Sequence, residues 1–130
     1  MEEIEINTVF GAEIEECKYF FDRINIDKNT LKQISLVIGL YDDNHKFDVE
    51  KFITAAINSG IKLVRIIMWC DEDSKYDNLI REFLESNSYQ FDVEIGESQA
   101  LTIHGQIVSC RHGKNEYGRL EYLFEIRNSN

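Results

Sequence analysis

The sequence predicts an α/β fold, a single domain built on a mixed sheet with its helices packed against that sheet. Three observations carry this. Two short, continuous apolar runs rich in β-branched residues, QISLVIGLY (Gln33 to Tyr41) and IKLVRIIMWC (Ile61 to Cys70), read as buried strands. Each is followed by an amphipathic stretch of helical period with a capped start. The C-terminal part carries two further strand-like runs separated by a Gly- and Asn-containing loop. Together they give a central β-α-β-α-β unit over residues 33–95, followed by an antiparallel C-terminal hairpin in residues 96–130 and preceded by an N-terminal strand and helix in residues 1–32.

In chain order, EIEINTVF alternates and predicts a strand. Phe10, Ile14, Cys17, Phe21 and Ile24 recur at helical spacing, which favours a helix over residues 12–24, with a strand hairpin around Gly11 as the rival. After the first buried strand, Asp48 is placed to cap a helix, and Phe47 before it to staple onto Phe52. Val49, Phe52, Ile53, Ala56 and Ile57 form that helix's apolar face, and Ser59 with Gly60 ends it. After the second strand, Ser74 and Asp77 have the spacing of a capping box. Tyr76, Leu79, Ile80, Phe83 and Leu84 share the next helix face, and Ser86 with Asn87 closes it. YQFDVEI (Tyr89 to Ile95) alternates and predicts a third strand nearer an edge, joined like the second by a parallel crossover. Ala100 to Cys110 and Arg119 to Ile126 predict the hairpin strands, with RHGKNEYG as the loop. The chain has no proline, so its turns fall to Gly, Asn and Asp.

The 130 residues hold 14 Lys and Arg against 24 Asp and Glu, a net charge of −10. The charge is uneven: −6 over residues 1–60, −5 over 61–101 and +1 over 102–130. A field of that sign disfavours nucleic acid and anionic lipid and steers cationic partners. The acidic start MEEIEIN lacks a signal-peptide core, and no apolar run is long enough to span a bilayer. Cys17, Cys70 and Cys110 are widely spaced in apolar surroundings and read as buried, reduced thiols. These features point to a cytoplasmic protein.

The candidate site lies where the two buried strands end. One runs into Tyr41, Asp42 and Asp43; the other runs through Trp69 into Asp71, Glu72 and Asp73, with Tyr76 just beyond. In a parallel α/β sheet, ligands collect at the carboxyl ends of the strands. Clustered carboxylates there can hold Mg²⁺, which takes hard oxygen ligands. The rest of a phosphoryl-transfer site is missing: the stretch Ile95-Gly96-Glu97-Ser98 has no lysine of the kind a receiver domain needs. Asp71 and Asp73 make a DxD, but no basic nucleic-acid groove accompanies it. His104 reads as a strand-face residue and His112 as part of a basic loop, neither with zinc-ligand spacing. No P-loop, GxGxxG or GxSxG occurs.

No catalytic residue, metal or cofactor is therefore expected. Asp73 is assigned to helix capping. Tyr41, Asp42, Asp43, Trp69, Asp71, Glu72 and Tyr76 are expected to form a partner-binding face, rings supplying anchors and carboxylates supplying orientation. The expected function is that of a small acidic inhibitor, an immunity protein (antitoxin) that binds a basic toxin such as a nuclease. The alternatives are a Mg-dependent phosphoryl-transfer or signalling domain using the acid clusters, and a phage-type inhibitor that mimics nucleic acid.

Overall fold

The two continuous apolar runs form neighbouring parallel strands, Ile34 to Leu40 pairing in register with Val64 to Cys70. The computed structural model describes residues 2–8, 31–41, 47–93 and 96–128. Their elements are β1 (Glu2–Thr8), β2 (Leu31–Leu40), α1 (Val49–Asn58), β3 (Leu63–Cys70), α2 (Lys75–Ser86), β4 (Gln99–Ile103), β5 (Gln106–Lys114) and β6 (Leu120–Arg127). The strands make one six-stranded sheet in the order β1-β2-β3-β6-β5-β4. The pairs β1–β2 and β2–β3 are parallel, and β3–β6, β6–β5 and β5–β4 are antiparallel. This is the α/β mixed sheet that the sequence predicts. Residues 12–24 and Cys17 lie outside the described residues.

Register turns the alternation of each strand into rows across the sheet. Leu36, Ile66, Phe124 and Cys110 are successive partners on β2, β3, β6 and β5. Ile38, Met68, Tyr122 and His112 make the next row, and Ile34, Val64, Ile126 and Val108 the row on the other side. All but His112 are buried, and both helices bury apolar residues in the same cluster, although Leu79 of α2 stays exposed. The opposite sheet face carries the half-buried Arg65, Ile67 and Trp69 of β3 and Glu121, Leu123 and Glu125 of β6.

Local chemistry explains the helix ends. Asp48 accepts a hydrogen bond from the Lys51 amide at 3.1 Å, and the Phe47 and Phe52 rings lie 5.9 Å apart as the staple requires. Ser59 caps the C-terminus of α1, and Gly60 follows in the left-handed region at φ 75°. Ser74 Oγ accepts from the Asp77 amide at 3.2 Å to start α2.

Several expectations fail. Tyr89 to Val93 is turn rather than strand, and the strand that follows α2 is β4. It enters at the far edge of the sheet, so this second connection is not a parallel crossover. The run Ala100 to Cys110 is broken by His104 and Gly105 at φ 50° and 77°, the two positive values of a tight hairpin turn. His104 is consequently an exposed turn residue, while His112 lies within β5 on the helix-facing side. The actual β5–β6 turn spans Asn115 to Arg119.

Cys70 and Cys110 are free and buried. Burial raises both thiols, Cys70 to about 12 with the Asp77 carboxylate adding to the shift. Both are therefore neutral, unreactive packing residues at physiological pH.

Candidate functional site

Strand register brings Leu40, Cys70, Leu120 and Lys114 to one end of the sheet. The residues just beyond them form the candidate site. Arg119 donates to Asp71 Oδ1 at 2.9 Å, and its guanidinium lies 4.5 Å from the centre of the Tyr41 ring. Lys114 reaches Glu72 at 3.7 Å. The carboxylates remain in solvent, the Asp71 and Glu72 side chains each 62% exposed. Burial raises the Tyr41 hydroxyl pKa against the opposing pull of Arg119, so the ring is neutral.

The β5–β6 turn positions the cations. Asn115 Oδ1 accepts from the Tyr117 and Arg119 amides at 3.0 and 3.1 Å, and Gly118 takes φ 78°. This leaves Tyr117 75% exposed at the tip, beside the carboxylates' own cations in the chain. Chemically the arrangement is a seat for a guanidinium or ammonium group, with a carboxylate to orient it and an aromatic face to stack on. Arg119 already sits in it.

The other predicted contact residues distribute differently. Asp42 and Asp43 lie outside the described residues. Trp69 is half-buried, its indole Nε1 donating to Glu121 at 2.8 Å across the β3–β6 pair. Tyr76 is 1% exposed and packs edge-on against Phe47, so it is a core residue and not a contact residue. Asp73 is exposed at φ 62° and its amide donates to Asp77; capping belongs to Ser74.

A second constellation is buried beneath α2. Asp77 is 1% exposed. Its carboxylate accepts from Tyr122 Oη at 2.6 Å, from Arg81 Nε at 3.3 Å and from the Asp73 amide at 2.9 Å. The Tyr122 hydroxyl pKa is raised by burial and by Asp77. Tyr122 stacks on His112 at 6.0 Å, His112 Nδ1 lies 2.6 Å from Tyr89 Oη, and Phe91 covers the imidazole at 5.0 Å. Arg81 lies over the Phe91 ring at 4.5 Å. Tyr89 and Phe91 thus pin the connection after α2 onto β5. The capping-box spacing marks Asp77 only as a cap; its place with Ile80 and Leu84 at three- and four-residue steps is the signal that it also faces the core.

His112 makes the stability pH-dependent. Burial lowers its pKa from 6.5, Arg81 lowers it further, and Asp77 pulls the other way. The folded state therefore holds it neutral, and its contribution is fully present above pH 6.5. As pH falls below that, the unfolded chain takes up a proton that the folded chain refuses, and stability declines towards the folded pKa. The urea midpoint of the wild type is expected to fall more between pH 7.5 and 5.5 than that of His112→Gln. Equal falls would show that His112 does not titrate with folding.

Among the described residues, no three His, Cys, Asp or Glu side chains are grouped closely enough to hold a metal ion, and no helix is long and apolar enough to cross a membrane. No protein-family model, curated protein or solved structure matches the chain.

Proposed function

We propose that the chain is a small acidic binding protein that captures a basic protein partner, as an immunity protein (antitoxin) does when it neutralises a toxin such as a nuclease. The observation that carries this reading is the pair of solvent-exposed carboxylates, Asp71 and Glu72, already holding cationic side chains beside the Tyr41 ring. The net charge of −10 steers a basic partner at long range. On contact, the partner's Arg or Lys takes the place of Arg119 and Lys114. That exchange costs little, because exposed ion pairs are worth about 0–1 kcal/mol each. Tyr41 extends the surface, and Trp69 supports it from the adjoining β3–β6 pair. A nuclease bound this way would have its phosphate-binding face covered by carboxylates.

The test is whether a basic protein is encoded beside this chain's gene and, with that protein, the association rate measured against salt. The rate is expected to fall as salt rises, since charges are screened beyond a Debye length of about 8 Å at physiological ionic strength. Changing Asp43 and Asp71 together to Asn is expected to slow association about tenfold at low salt. The same change should leave folding stability within about 0.5 kcal/mol. Arg119→Ala should act in the opposite sense, because it vacates the seat and adds net negative charge. A rate indifferent to salt and to these substitutions would exclude the acidic surface as the docking face.

A further inference from the structure

The helical layer contains a groove of about 570 Å³ between the start of α1 and the outer side of α2. Phe47, Val49 and Phe83 supply its apolar lining, and Leu79 is 38% exposed there. A single exposed leucine is ordinary on a protein surface. Here it lies beside the half-buried Phe83, with the buried Phe47 and Val49 behind them, in a concavity where a partner's side chain would remove the exposed Leu79 and Phe83 surface from water. The charged lining is mostly acidic, Asp48, Glu50 and Glu82 against Lys51, with Asp48 capping α1 and Glu50 lying 3.7 Å from His104. The groove also reaches Ser86 in the last turn of α2, a turn with no basic residue to offset the negative end of the helix dipole. The carboxylates belong to a lining that suits a protein segment with cations on either side of an apolar tip.

We propose that this groove is a second docking surface for the same basic partner, taking one apolar side chain on Leu79 and Phe83 with flanking Lys or Arg directed to Glu50 and Glu82. The proposal rests on the partner being a cationic protein. It adds an apolar anchor that the sheet end lacks. Salt would then weaken the steering more than the anchored contact, because burial of apolar area is not screened.

The experiment is a chemical-shift titration of the ¹⁵N-labelled protein with three blocked peptides of equal length, alternating Lys–Leu, Lys–Ser and Glu–Leu. The Lys–Leu peptide is expected to shift the amides of Lys51, Leu79 and Glu82. The Lys–Ser peptide should bind there at least about fivefold more weakly, and the Glu–Leu peptide should leave them unmoved. Leu79→Ser and Glu82→Lys, both at exposed positions, should each weaken Lys–Leu binding about tenfold without unfolding the protein. Shifts confined to Tyr41, Asp71, Tyr117 and Arg119 would overturn the groove while leaving the cationic-partner reading intact. No response to either Lys peptide would overturn both. Concentration-dependent dimerisation that Leu79→Ser abolishes would also overturn the proposal, since the occupant would then be a second copy of the chain.

Discussion

Asp77→Ala is expected to lower folding stability by about 2–4 kcal/mol, far more than a surface carboxylate would. The fully buried Tyr122 hydroxyl loses its partner, as does the Asp73 amide that orders the entry to α2. Arg81 also loses its carboxylate, but that side chain is 39% exposed, and water recovers part of the loss. Tyr122→Phe should cost less, about 1–2 kcal/mol, because Asp77 keeps its other two donors. In the double variant the costs should fall short of the sum, since one hydrogen bond is counted in both single changes. Urea unfolding of the four proteins measures this. Additive costs, or a loss at Asp77 under about 0.5 kcal/mol, would show that the carboxylate is not the hub of this network.

Phe124→Ala should cost about 3–5 kcal/mol, the range for a large aromatic removed from a closed core. Phe124 is 0% exposed, lies between Ile66 and Cys110 in its row, and meets the Phe83 ring of α2 at 6.5 Å. Its neighbour Leu123 points to the other sheet face and is only half-buried, so Leu123→Ala should cost about 1 kcal/mol. The contrast in urea midpoints tests which face of the sheet carries the core. Similar losses at both positions would mean that the two faces are equally buried.

What was legible in the sequence was local. Asp48, Phe47 and Ser74 act within four residues of the helix starts that they define, and the apolar runs at Gln33 to Tyr41 and Ile61 to Cys70 are strands apart from Tyr41 at the end of the first and Ile61 and Lys62 at the start of the second. The misreadings arose where period and position diverge. Tyr89 and Phe91 alternate like strand residues, yet both sit in a turn and bury their rings around His112. A two-residue turn at His104 and Gly105 was hidden inside an apolar run. Tyr76 is buried on the apolar helix face that the sequence predicts, not at the partner-facing surface, while Leu79, expected on that same face, faces outward. The pairing of the acidic end with its own basic turn could not be read at all. Asp71 and Arg119 are 48 residues apart and meet only because β6 lies beside β3.

That placement of β6 has a consequence for synthesis. The strand latest in sequence among those described lies in the middle of the sheet, between β3 and β5. A nascent chain that has not yet emerged as far as Leu120–Arg127 can form β2 and β3 as one unit and the β4–β5 hairpin as another, with an open seam between them. Val64, Ile66 and Met68 would then flank an unpaired edge, a surface prone to wrong association. Completion of the sheet is therefore coupled to translation of β6, and the many sequence-distant pairings it requires favour slow closure over stepwise growth on the ribosome.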